Sequence, residues 1–202
     1  MTEWIKEYWY LLIVLVAVCI VAAVIFYFAV RAYRKRTAIY KREEANIKRL
    51  VALKEHFRPM TEEAIMSCDT ADLLEGVALY YQLKLQNEEK QEEKFELLND
   101  DVKDIYTLDV FVQDKTSKEF FSQNGDVLRK RILPALSKIG MSDFSEKLRA
   151  VYDMYDNSNE NVSYSLNKIE EIDSFIAENG ILSNIKLKSA EYIRSNFKSF
   201  LN

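Results

Sequence analysis

The residues of this chain whose types and spacing could do chemistry are its carboxylates. They gather in three places: Glu88, Glu89, Glu92 and Glu93; Asp100 and Asp101 with Asp104; and Glu170 and Glu171 with Asp173. On a helix, Asp104 shares a face with Asp100 and Asp101, and carboxylates so placed could hold a divalent cation, as a metal-dependent hydrolase requires. Acidic residues at a helix start also complement the macrodipole and solvate the surface. That second use needs no ligand, so no metal and no cofactor is expected. One His and two Cys leave no disulfide scaffold and no zinc ligand set, and they argue against Ser/His or Cys/His catalysis. His56 has no ligating neighbour and reads as a surface residue. A P-loop, a Gly-rich dinucleotide turn, a His-Glu-x-x-His helix and a nucleophile elbow are all absent from the sequence. The chain therefore reads as a non-enzyme whose carboxylates serve binding.

What must position those carboxylates follows from the distribution of charge. The 202 residues carry 28 Lys+Arg against 32 Asp+Glu, a formal net charge of −4, but the average hides three regions. Residues 9–30 hold no charge. Residues 31–58 hold ten basic residues against Glu43, Glu44 and Glu55. Residues 59–202 hold the remaining excess of acid, a net of −10. The order is an apolar end, a basic neck and an acidic body.

Trp9 to Val30 is a run of 22 residues with no charge, Gly or Pro. As a helix it extends about 33 Å, close to the ~30 Å hydrocarbon core of a bilayer. Trp4, Tyr8, Trp9 and Tyr10 at one end, with Tyr27 and Tyr33 at the other, fit interfacial aromatic belts. A cleaved signal peptide would want a basic start, a shorter apolar run and small residues at the cleavage site. The segment reads instead as an anchor, with residues 1–8 outside the cell. The excess of Lys and Arg after it places the body in the cytoplasm, at the inner membrane. Arg31, Arg34, Lys35 and Arg36 then lie at the membrane surface and attract anionic headgroups. Residues 31–58, free of Gly and Pro until Pro59, continue as a juxtamembrane helix.

From residue 60 to 202 the apolar spacing is helical and no useful strand alternation occurs, so the body reads as an all-α bundle. Thr61 caps a short helix, and Asp69 or Thr70 a longer one. Asn99 marks a junction. Ser117 is the expected cap of the turn containing Phe120 and Phe121, which Gly125 would close in the left-handed conformation. Pro134 should kink or break the helix that Gly140 ends. Ser142 or Asp143 starts the next helix, residues 156–161 form a loop, and Asn179-Gly180 separates the last two helices. Phe120 and Phe121 read as packing aromatics.

Three stretches occur in a familiar order: Tyr106-Thr107-Leu108-Asp109-Val110-Phe111, Glu119-Phe120-Phe121-Ser122-Gln123-Asn124-Gly125, and Leu133-Pro134-Ala135-Leu136-Ser137-Lys138-Ile139-Gly140. With the tail Ile172-Asp173-Ser174-Phe175 and Glu191-Tyr192-Ile193, this order resembles the C-terminal domain of the bacterial DNA-mimic proteins over about residues 70–200. The sequence departs from that pattern at Asp114-Lys115-Thr116-Ser117-Lys118, which lacks the family's glycines, and in carrying an anchor. The resemblance implies a helical domain whose carboxylates stand in for phosphates and engage a basic DNA-binding protein.

The expected function is a membrane-anchored protein-interaction module. Its partners are the lipid bilayer and a basic protein, bound through Glu88, Glu89, Glu92, Glu93, Asp100, Asp101 and Asp104. Direct binding of nucleic acid is not expected, because the acidic body repels phosphate. Two alternatives stand beside this: an immunity-type inhibitor that holds one toxin by shape, and a metal-dependent hydrolase built on Asp100, Asp101 and Asp104.

Overall fold

The computed structural model describes residues 2–86, 91–155 and 165–201, and every regular element among them is helical. The chain divides into two compact units, Met1–Val51 and Ala52–Asn202.

The first unit is helix α1 (Thr2–His56), apart from its last turn. Nothing interrupts this helix, because the sequence offers neither Gly nor Pro before Pro59. Ile13 to Ala29 are exposed along their whole length, with a mean hydropathy of 3.1. This helix is long and apolar enough to cross a membrane. Arg31, Arg34, Lys35 and Arg36 follow on it, all exposed.

The second unit contains α2 (Glu62–Ser67), α3 (Thr70–Gln86), α4 (Gln91–Glu96), α5 (Asp100–Asp114), α6 (Ser117–Gln123), α7 (Asp126–Lys138), α8 (Ser142–Tyr155), α9 (Leu166–Glu178) and α10 (Ile181–Ser195). A 3-10 turn at Phe197–Phe200 follows α10. Helix α5 is the axis of this unit. It packs on α3, α7 and α10, with α6 and the 3-10 turn against it. Its buried positions run almost all the way round, from Val102 to Val112. Around it Phe111, Phe120 and Phe121 make successive edge-to-face contacts at 5.3 and 5.2 Å, and all three rings are fully buried. The Tyr81 hydroxyl donates to the Phe200 carbonyl at 2.9 Å, so the one polar atom of that buried ring is satisfied.

Local chemistry sets the helix ends. Thr61 Oγ1 accepts from the Ala64 amide and Asn99 Oδ1 from the Asp101 amide, as N-caps do. Helix α6 is capped by Thr116, whose hydroxyl accepts from the Glu119 amide. The expected cap, Ser117, is instead the buried first residue of the helix. Its amide and its hydroxyl both donate to Asp173 Oδ1 at 2.6 Å, which ties α6 to α9. Gly125 is likewise not a left-handed terminator: its φ is −73° and it is the N-cap of α7. Asn124 removes the need for one, because its side chain donates to the Phe120 carbonyl at 2.9 Å and to Asp114 at 2.7 Å. Pro134 does not break α7. Pro134 and Lys130, whose carbonyl loses its donor, both lie on the exposed face, where water can supply the bond. Gly140, at φ +80°, does end α7. The Gly140 and Met141 amides turn back onto Ser137 and Leu136 at 3.0 and 2.9 Å. The expected loop at 156–161 lies outside the described residues.

The basic neck does not stop at the edge of the body. Leu53 and Phe57 belong to the core, and Phe57 is 1% exposed. Its ring lies where a Cβ on Gly76 would be, so glycine is required there by close approach. The body therefore begins at Ala52 rather than at residue 60. A fragment of residues 52–202 should fold as a helical unit by circular dichroism. Starting at residue 60 removes Phe57 and should cost about 3–5 kcal/mol in urea unfolding, as should Phe120→Ala in the longer fragment. Equal midpoints for all three would contradict this packing.

Candidate interaction site

Helix α5 opens with Asp100, Asp101 and Asp104, placed by the Asn99 cap where free amides favour negative charge. Three of the seven expected binding carboxylates are therefore at the start of one helix, but Asp101 and Asp104 turn inward. Asp104 is buried. Its Oδ1 accepts from Arg131 Nε at 3.1 Å, with Nη2 at 3.0 Å, and its Oδ2 accepts from Lys138 Nζ at 2.7 Å. Asp101 is mostly covered, and its Oδ1 receives Lys138 Nζ at 2.6 Å and the Tyr192 hydroxyl at 2.7 Å. Asp100 stays at the surface, yet Arg131 Nη2 donates to it at 2.9 Å. Arg131 and Lys138 are seven residues apart on α7, two turns along one face. Lys103 is buried beside them, with Glu96 Oε2 at 3.3 Å and Asp100 at 3.8 Å.

This arrangement corrects the expectation for Asp101 and Asp104. Neither is a free surface carboxylate, because a charge at the start of a central helix must be paired when it is buried. The hydrolase alternative meets the same obstacle: Arg131 and Lys138 stand where a metal ion would have to be. Among the described residues, no three His, Cys, Asp or Glu side chains are grouped to hold a metal. Glu92 and Glu93 lie on α4, whereas Glu88 and Glu89 lie outside the described residues. Glu170, Glu171 and Asp173 lie on α9, where Asp173 is the partner of Ser117.

Two further titratable groups serve the fold. His56 is exposed, and its Nε2 donates to the Ala64 carbonyl at 2.8 Å. Burial, with help from Asp72, pushes the Cys68 thiol up to about 11, so it carries almost no thiolate at neutral pH.

One feature was not legible in the sequence. A groove of about 270 Å³ opens between α3, α4, α5 and the start of α7, lined by Gln82, Leu85, Phe95, Tyr106, Val127 and Leu128. Phe95 and Tyr106 meet edge to face at 5.4 Å in its wall. Its walls come from four separate elements, each with an ordinary apolar residue. Helix α4, which carries Phe95, also carries Glu92, Glu93 and Glu96, and Glu96 is more than half exposed while it reaches Lys103. An apolar groove thus lies beside a short acidic helix.

The ion-pair cluster should govern the response to pH. Hydrogen bonding from Arg131 holds Asp100 below the usual carboxylate range. Burial acts to raise Asp101, but hydrogen bonds from Lys138 and Tyr192 outweigh it and hold that carboxyl low as well. Both bind fewer protons folded than unfolded, so their stabilisation is present above about pH 4 and is lost as pH falls through their folded values. Lys138 is shifted the other way: burial opposes its charge, but Asp101 and Asp104 hold it above the ordinary lysine value. Its contribution persists below about pH 10 and fades above it. Asp104→Ala should cost about 3–5 kcal/mol, because it leaves Arg131 and Lys138 without their shared partner. Asp101→Asn should flatten the fall in stability below pH 4 in urea titrations. A variant with an unchanged acid limb would remove Asp101 from this role.

No family model, no curated protein and no solved structure matches this chain.

Proposed function

We propose that the chain is a single-pass protein of the cell membrane, with its N-terminus outside and its helical body in the cytoplasm, and that the body binds a basic segment of another protein. The topology rests on the exposed apolar helix Ile13–Ala29 and on the cations Arg31, Arg34, Lys35 and Arg36 directly after it.

The observation that carries the binding role is the groove floored by Phe95 and Tyr106 beside the glutamates of α4. An amphipathic basic segment would lay its apolar side into that groove and set its Lys or Arg against Glu92, Glu93 and Glu96. The net of −10 over residues 59–202 would draw such a partner in. The resemblance to the DNA-mimic domain suggests a DNA-binding regulator as that partner. Asp101 and Asp104 take no part in the contact, since their oxygens are held by Lys138, Arg131 and Tyr192. In this proposal the protein acts by holding a partner rather than by converting one. The apolar lining also favours the immunity-type alternative, in which one toxin is held by shape, and salt separates the two.

Two measurements test this reading. A reporter fused after Asn202 should be active only in the cytoplasm; activity outside the cell would overturn the topology. Affinity capture with the detergent-solubilised chain should recover a basic protein at low salt and lose it at about 0.5 M salt, where exposed charges are screened within a few Å. The triple change Glu92→Gln, Glu93→Gln and Glu96→Gln should abolish that capture. Salt-insensitive capture that survives the triple change but is lost with Leu128→Arg would favour the immunity-type reading.

A further inference from the structure

Beyond Val30 the apolar run is over, yet large apolar side chains continue on one line of α1. Phe26, Tyr33, Tyr40 and Ile47 are 71, 72, 68 and 60% exposed, and consecutive members are seven residues apart. Cys19, also exposed, extends the same line back into the apolar run. Val30, Thr37, Glu44 and Val51 fall four residues after Phe26, Tyr33, Tyr40 and Ile47. This alternation of four and three is the a/d repeat of a coiled coil, with Phe26, Tyr33, Tyr40 and Ile47 at d. A seven-residue repeat drifts by about 20° per heptad on a straight helix and is kept in register by left-handed supercoiling around a partner.

We infer that this face of α1 pairs with the same face of a second copy of the chain in a parallel two-stranded coiled coil, from the membrane segment through Val51. Three observations favour a second copy over another occupant. Glu43 falls at a g position and Lys48 at the next e position, so each copy sets a second carboxylate against an ammonium that already holds Glu44 of its own helix, twice by symmetry. Two polar side chains on the seam are already partnered within each helix: the Thr37 hydroxyl donates to the Tyr33 carbonyl at 2.9 Å, and Glu44 pairs with Lys48 at 2.7 Å. A shared bilayer would hold two copies parallel and at high effective concentration, so a modest seam suffices. The opposing pair is Arg36 at g against Lys41 at e. Arg36 lies about 9 Å beyond Val30 along the helix, near enough to the surface for anionic headgroups to screen it. The parallel orientation rests on the membrane reading above; the seam itself does not.

Oxidative cross-linking of the full-length chain in host membranes tests this. In a Cys19→Ala background, Tyr40→Cys and Ile47→Cys should give disulfide-linked dimers, while Lys35→Cys and Arg42→Cys, at the outward f position, should not. Buried Cys68 remains as an internal control. The unaltered chain should also cross-link through Cys19, which keeps the test valid if a substituted chain fails to accumulate. Ile47→Asp should abolish cross-linking at Tyr40→Cys. Equal cross-linking at seam and outward positions, adducts with a different protein, or no dimer at any seam position would overturn the inference. Recovery of the chain in the soluble fraction would instead defeat the membrane reading, and cross-linking there would still report on the seam.

Discussion

Everything in the body is arranged around a buried negative charge at the start of its central helix. Asp104 sits within a turn of the N-terminus of α5, and both of its oxygens are taken by cations of α7. Once that charge is buried, the register of α7 against α5 is fixed, because Arg131 and Lys138 must both reach it. Lys138 in turn reaches Asp101, whose second donor is Tyr192 of α10. The end of the chain is tied to the same point, since Asn99 Nδ2 donates to the Ser199 carbonyl at 3.1 Å. Hydrophobic area drives the collapse of this bundle, but area is not directional. The paired charges select which of several possible helix packings is adopted, because any other leaves a buried ion unpartnered.

The same constraint decides which surface is free to act. Carboxylates that hold the fold cannot also be offered to a visitor. The acidity of the body thus includes an internal set on α5, Asp101 and Asp104, while Glu96 on α4 stays exposed. The internal set also locks the helix that supplies Tyr106 to the groove, so the groove has one firm wall. Its other wall is the short helix α4, which joins the unit through Phe95 and the contact of Lys103 with Glu96.

Much of the fold was legible in the sequence because it is written locally. The membrane-length helix follows from 22 uncharged residues, the all-helical body from apolar spacing, and the breaks at Gly140 and Gly180 from residues that alone tolerate positive φ readily. Ends set by longer-range partners were misread. Ser117 resembles a cap in sequence, but Asp173 of α9 claims it, and Asn124 replaces the terminator expected at Gly125. The candidate site suffered most. Asp101 and Asp104 look like a solvated helix start because their cations lie 27 to 37 positions away, out of reach of any local pattern. One signal was present: Asp104, Leu108 and Phe111 share a helical stripe, and a charge on an apolar stripe implies a distant partner.

The position of Lys138 has a further consequence, for its reactivity. An amine acylates only as the free base, and a lysine gripped by two carboxylates, with the Tyr192 ring 5.8 Å from its Nζ, exposes very little of it. Its side chain remains about one-third exposed, so access alone would not protect it. Lys138 is thereby a slow nucleophile among surface lysines for as long as α5, α7 and α10 stay together, and its acylation rate measures, at a single atom, how often those three helices separate.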